Sequence, residues 1–151
     1  MDSRAAAGDT VGVKLWLLYV GKARDAHANA LAREYMKRSS RYMQCEMNEI
    51  DPRRYDPFVR HAAARKVLLD PAGREMDSRE VAALVAAAER DARDLVFVVG
   101  GHDGHPEEWK NRADLLLSLS RLTMPHELAR AVLAEQIYRA LTMLRGHPYP
   151  R

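Results

Sequence analysis

The chain lacks most of the features that declare a function by themselves. Cys45 is its only cysteine, so no internal disulfide can form, and the thiol is expected to act as a small buried residue. No apolar run approaches the roughly 20 residues of a membrane span. Met1 to Thr10 holds no apolar signal core, so a cytoplasmic protein that touches no membrane is expected. No phosphate loop ends in Gly-Lys-Ser/Thr, no G-x-G-x-x-G fingerprint occurs, and no Gly-x-Ser-x-Gly elbow is present. Those absences exclude the commonest nucleotide and hydrolase motifs. His102, Asp103 and His105 crowd one loop without cysteine or long-range spacing, so no metal site is expected. Internal repeats and low-complexity tracts are missing too. The formal net charge is only +3, which permits a polyanionic partner and does not demand one.

What is present is a regular alternation. A length of 151 residues with 47% hydrophobic and 30% charged content fits one domain with a real core. Residues 1–11 are small and polar and are expected to be a disordered extension, with 12–151 forming the single domain. Val13 to Val20 reads as a strand closed by Gly21, and Asp25 as the N-cap of a helix to about Tyr42. On that helix Leu31, Tyr35 and Tyr42 share a face, and Arg33, Lys37 and Arg41 form a basic stripe, read as solvated. Met43 to Ile50 predicts a second strand. Arg53 to Arg65 is a connection or short helix. Lys66 to Asp70 predicts a third strand, with Pro71-Ala72-Gly73 turning the chain away. Asp77 and Glu80 have capping-box spacing. Val81, Leu84, Val85 and Ala88 then give a helical stripe. Leu95 to Val99 and Asp114 to Leu119 are further strands, separated by a short helix over Pro106 to Arg112. A last helix runs from Pro125 to about Leu144. Leu133, Ile137, Ala140, Leu141 and Leu144 are its main stripe, widened by Leu128 and Val132. Such a broad stripe packs on the sheet or serves a subunit interface as well. This pattern predicts an α/β fold, a mostly parallel sheet flanked by helices.

Two strand ends then meet ligand-type loops. Gly100-Gly101-His102-Asp103-Gly104 places three glycines in five positions, where backbone can approach a bound molecule closely. Ser120 to His126 is a polar-apolar loop closed by Pro125. Adjacent strand ends of this kind form the crevice where open α/β sheets bind ligands.

Ser120-Arg121-Leu122-Thr123-Met124-Pro125-His126, Glu135-Gln136-Ile137-Tyr138-Arg139-Ala140 and the ending Gly146-His147-Pro148-Tyr149 resemble the SPOUT-class ribosomal RNA large subunit methyltransferase H family. Leu69-Asp70-Pro71-Ala72-Gly73, the glycine loop and Leu117-Ser118-Leu119-Ser120 agree with it as well. Leu18 to Lys22 and Glu34 to Arg38 agree more loosely. The resemblance implies a C-terminal trefoil knot, which physical reasoning alone argues against. It also implies a homodimer and S-adenosylmethionine as cofactor. The implied reaction is methyl transfer to nitrogen 3 of a pseudouridine in large-subunit ribosomal RNA, on assembled ribosomes. Carried over by position, the cofactor contacts fall on Leu69, Gly101, Ser120, Arg121, Leu122, Thr123, Met124 and Pro125, with Gly100 and Gly104 shaping the first loop. Leu69, Leu122 and Met124 suit an adenine slot, which wants apolar walls and backbone hydrogen bonds.

The methyl donor is already activated, so alignment contributes most and a base need only remove the imino proton. Tyr149 and His147 of the tail are the candidate catalytic groups. His126 is read as structural. Arg130, Arg139 and Arg151 are candidate RNA phosphate contacts. The tail departs from the family in carrying Pro150 where a histidine usually follows the tyrosine. The first loop departs in reading Gly-His-Asp-Gly-His-Pro rather than ending in Gly-Leu-Ser. The competing readings are a SPOUT methyltransferase with another RNA target and a catalytically inactive knotted RNA-binding protein.

Overall fold

The computed structural model describes residues 12–150. The expected extension before them, and Arg151, lie outside the described residues. Five strands form one sheet in the order β2-β1-β4-β3-β5. They are β1 (Lys14–Val20), β2 (Gln44–Ile50), β3 (Arg65–Glu75), β4 (Leu95–Val99) and β5 (Leu115–Ser118). Every pairing between them is parallel. β4 lies between β1 and β3, and all five of its side chains are buried. Its unbroken Leu-Val-Phe-Val-Val run is what a parallel strand covered on both faces requires.

The helices are α1 (Ala26–Ser39), α2 (Pro57–Arg60), α3 (Ser78–Asp91), α4 (Glu107–Arg112) and α5 (His126–Leu144). Period two sorts the strand residues between two cores. Leu15, Leu17, Tyr19, Val67 and Phe97 face α1, α3 and α5. Leu18, Leu68, Val96 and Val98 face Phe58 of α2 and Trp109 of α4. The first face is therefore covered by three long helices and the second by two short ones.

Local chemistry sets the helix ends. Asp25 accepts from the His27 and Ala28 N–H groups at the start of α1. The capping box opens α3, with Asp77 accepting from the Glu80 N–H and Glu80 accepting from the Asp77 N–H. Helix α1 stops at Ser39, earlier than expected, because the Ser39 hydroxyl turns back onto the Tyr35 carbonyl and a turn bonds Tyr42 N–H to Ser39 O.

Two expectations need correction. Pro71-Ala72-Gly73 does not turn the chain away. β3 continues to Glu75 through a register shift in which Leu69 and Arg74 both face Leu117. Proline is tolerated in such a bulge, where no ladder donor is needed. Gly73 returns so close to β5 that a Cβ would lie 2.6 Å from the Leu116 backbone. The stripe of α5 is also narrower than expected. Leu133, Ile137, Ala140 and Leu141 are buried, but Leu128 is 45% and Leu144 36% exposed. On α1, Leu31 is likewise about half exposed.

Candidate functional site

The cleft lies at the carboxyl ends of β4 and β5, beside Leu69 to Pro71 of β3, just past the last β3–β4 pair at Leu68. β3 is followed by α3 on one face of the sheet, and β4 by α4 on the other. Connections that diverge in this way open a crevice. Its volume is about 440 Å³, within the range of small-molecule sites.

The structure brings most of the expected cofactor residues together here. Leu69, Gly100, Gly101 and Gly104 line one side, and Ser120, Arg121, Leu122, Thr123 and Met124 the other. Pro125 is not in the wall. It stands at the N-cap of α5 and offers no side-chain cap. Val99, Leu117 and Leu119 complete the apolar floor. Leu122 is 78% exposed, an apolar side chain at the cleft mouth with little of the protein against it.

The glycines are needed for reasons that differ. A Cβ on Gly101 would sit 3.2 Å from the Val20 carbonyl, so that loop packs on the end of β1. A Cβ on Gly100 would lie 3.1 Å from the Gly104 backbone, because the loop closes on itself through a Gly101–Gly104 bridge. Gly104 has φ +76°, the left-handed conformation that favours glycine. The opposite loop is held by Ser120, whose hydroxyl accepts from the Leu122 N–H, and by Ser118, which donates to Ser120 O.

Asp70, His105, Lys110 and His126 also line the cleft and were not among the expected cofactor contacts. Asp70 adjoins Leu69 in the matched motif and His105 adjoins the glycine loop, so both were within reach of sequence reasoning. Lys110 arrives from α4 and pairs with Asp70 at 3.7 Å, a contact with no local signal. Among the described residues no group of three or more His, Cys, Asp or Glu could hold a metal.

Arg130 requires a correction. It is fully buried, so it cannot meet an RNA phosphate at the surface. Its guanidinium donates to Asn29 Oδ1 at 2.9 Å and to the Val20 and Gly21 carbonyls at 3.1 Å each. It also lies over the Tyr19 ring. Arg130 thus ties α5 to the β1–α1 loop, the same loop end on which Gly101 packs. Glu127 completes that tie. It accepts from the Asp25 and Arg24 N–H groups and from Asn29, and these bonds hold its carboxyl down at about 2.

The tail is elsewhere. Tyr149 donates to Glu135 Oε2 at 3.0 Å, with the Tyr35 hydroxyl at 3.2 Å. Glu135 is nine residues along α5 from His126, roughly 14 Å along the axis. Neither Tyr149 nor His147 lines the cleft of its own chain. Desolvation, with Tyr35 and Glu135 beside it, raises the Tyr149 phenol well above its ordinary value. It therefore stays protonated and is a donor in this arrangement. His147 Nδ1 accepts from the Tyr149 N–H. Arg139 is committed to Glu135 at 2.6 Å and to the Pro150 carbonyl at 2.9 Å. It holds the tail down on α5.

Fold and cleft together define a class: a parallel α/β protein with a ligand crevice at the strand ends, divided between a glycine loop and the entry to the last helix. Two solved structures share the fold. One, described as a probable methylase family protein from Haemophilus influenzae, superposes with TM-score 0.60 at 13% identity, covering 92% of this chain and 70% of that one. The other, a probable methyltransferase from Bordetella pertussis, gives 0.59 at 12%, covering 85% and 95%. The model of the family described as predicted SPOUT methyltransferase matches residues 13–150. Two proteins named ribosomal RNA large subunit methyltransferase H are relatives in sequence. The protein from Solibacter usitatus is 55% identical over 92% of this chain and 100% of its own length. One from Thermus thermophilus is 41% identical over 92% and 99%. The chain belongs to the SPOUT methyltransferases and, within them, to the ribosomal RNA large subunit methyltransferase H family.

Proposed function

We propose that this protein methylates nitrogen 3 of a pseudouridine in large-subunit ribosomal RNA, using S-adenosylmethionine, on assembled ribosomes in the cytoplasm. The observation that carries the reading is the cleft itself: the glycine loop and the Ser120–Met124 loop line one cavity of about 440 Å³ in a chain related over 92% of its length to proteins named ribosomal RNA large subunit methyltransferase H. The cleft suits the cofactor. Leu69, Leu122 and Met124 offer apolar surface, loop amides and the Ser120 and Thr123 hydroxyls offer polar partners, and the Asp70 carboxylate offers an acceptor.

The cofactor, when bound, supplies an activated methyl group. The chain must orient it, exclude water and accept one proton from the base. The two loops do the orienting, and the slot closes against the β1 end that Arg130 secures. Tyr149 and His147 are our candidates for the RNA side of the site, and Arg139 and Arg151 for phosphate contacts. Because the tail is pinned to α5 away from its own cleft, a role at the chemistry fits a homodimer in which each tail serves the other cleft. The half-exposed Leu31 and Leu128 give α1 and α5 apolar surface for such a contact. The family's trefoil knot is proposed with it. The chain leaves edge strand β5 and returns so that α5 packs on both α1 and α3.

Calorimetry with S-adenosylmethionine tests the cofactor. Binding is expected, and none at millimolar concentration would overturn the reading. Mass mapping of large-subunit RNA from cells lacking the protein tests the target. One methylated pseudouridine is expected to revert to its unmethylated mass, and an unchanged map would overturn the assigned substrate.

A further inference from the structure

His105 is set unlike the other cleft residues. It follows Gly104 and precedes α4, and its Nε2 lies 2.7 Å from the Leu69 carbonyl oxygen. A carbonyl only accepts, so Nε2 carries the proton and the neutral ring keeps a lone pair on Nδ1. Nδ1 is buried and has no partner. A second proton there would make a buried N–H with nothing to accept it. Burial depresses the ring's pKa below its ordinary 6.5, more than the Leu69 carbonyl and Asp70 raise it, and Lys110 adds to the depression. The charged groups around the ring are Asp70 from β3 and Lys110 from α4, themselves paired at 3.7 Å. His102 of the same loop and His126 of α5 line the same cleft.

The bond falls where the sheet stops supplying partners. Pairing of β3 with β4 ends at Leu68, and Leu69 is the last residue before the register shift against β5. One imidazole therefore joins the glycine loop to Leu69 of β3, just past the last β3–β4 pair. Resting on the cofactor reading above, we propose that His105 is a positioning residue that holds these two walls together as a neutral, Nε2-protonated ring, and that the cleft takes S-adenosylmethionine in that form. A second proton would put an unpaired, charged N–H at buried Nδ1 and drive the ring from its seat against Leu69, so the affinity falls on the acid side while the fold persists.

Two variants separate this from simple packing. His105→Gln keeps an N–H donor and cannot titrate, and His105→Leu fills the space without a donor. Dissociation constants for S-adenosylmethionine are measured by calorimetry from about pH 8 to about pH 5. At the alkaline end the leucine variant is expected to bind about tenfold more weakly, the worth of one hydrogen bond, and the glutamine variant within about threefold of wild type. Wild type is expected to lose about tenfold on acidification and the glutamine variant less than about threefold. Without ligand, the ring nitrogens of His105 read by NMR, assigned through their loss in His105→Gln, are expected to show protonated Nε2 and bare Nδ1 at neutral pH. Unchanged affinity in His105→Leu, a wild-type acid loss in His105→Gln, or a proton on Nδ1 overturns the proposal. Wild type that binds no S-adenosylmethionine overturns the cofactor reading and the ligand half of the proposal. Binding by wild type with no difference in the variants overturns the proposal alone.

Discussion

A guanidinium with no exposed surface cannot recognise a phosphate, however well its sequence position suits the task. Arg130 supplies donors to Asn29 Oδ1 and two carbonyls at the end of β1, and lysine cannot reach three acceptors from one fork. Arg130→Lys is expected to lower stability by about 2 kcal/mol, since acceptors are stranded in a dry site, and to weaken the cleft that rests on that strand end. Arg130→Gln, which removes the charge, should leave the salt dependence of ribosomal RNA binding unchanged, because that slope counts phosphates neutralised at the surface. A slope shallower by about one would return Arg130 to the phosphate contacts. Glu127 gives the same junction a pH signature. Its carboxyl sits at about 2, below the ordinary 4.5, because the Asp25 and Arg24 N–H groups and Asn29 donate to it. A depressed acid stabilises the fold above its unfolded value and loses that contribution as pH falls toward the folded one. Melting temperature should therefore drop between about pH 4.5 and about 2, and Glu127→Gln should melt lower at neutral pH with a flatter acid limb. Parallel acid limbs for the two proteins would remove Glu127 from that role.

At the scale of elements, helix caps give the clearest local prediction. Both reciprocal bonds of the α3 capping box are present, so Asp77→Ala should cost about 1 kcal/mol in urea denaturation. A loss under about 0.3 kcal/mol would mean that tertiary packing of Val81 and Val85 alone sets the start of α3. Such signals made the order of elements legible in the sequence, because period, cap and breaker are local. What was not legible depended on distant partners. Pro71-Ala72-Gly73 has the composition of a turn, and only the return of β3 onto β5 makes it a bulge. Leu128 and Leu144 satisfy the stripe of α5, yet the stripe is wider than the surfaces of α1, α3 and the sheet that cover it. The cleft was half legible. Its two loops announce themselves by glycines and by a family motif, but Lys110 comes from a helix whose sequence points nowhere in particular. Arg130 shows the converse failure, a charged residue in a matched segment whose burial follows from Asn29 and the β1 carbonyls, about a hundred residues away in the chain.

At the scale of the whole molecule the separation of cleft and tail becomes a statement about assembly. The cleft opens at the start of α5. The tail is held about nine residues further along by Tyr149, Arg139 and Glu135. If Tyr149 and His147 act on the base, they must act across a subunit boundary or leave their seat on α5. The two routes differ in genetics rather than in structure. Gly101→Val should distort the cleft by pushing the glycine loop off the Val20 carbonyl while leaving the tail intact. Tyr149→Ala should remove the tail's anchor while leaving the cleft intact. Each variant alone is expected to bring methyl transfer to near background. Mixed after unfolding and reassembly into the proposed homodimer, half of the dimers would carry one of each, and in those one site would combine an intact cleft with the partner's intact tail. Activity should then return to about a quarter of wild type if exchange is random. If the tail served its own cleft, every site in every dimer would carry a defect and mixing would recover nothing. Calorimetry separates the defects further. Tyr149→Ala should bind S-adenosylmethionine with wild-type affinity, because among the described residues none of the tail lines the cleft of the same chain, and its loss should lie wholly in turnover on RNA. A weakened cofactor in Tyr149→Ala, together with no recovery on mixing, would place the tail at its own subunit's chemistry.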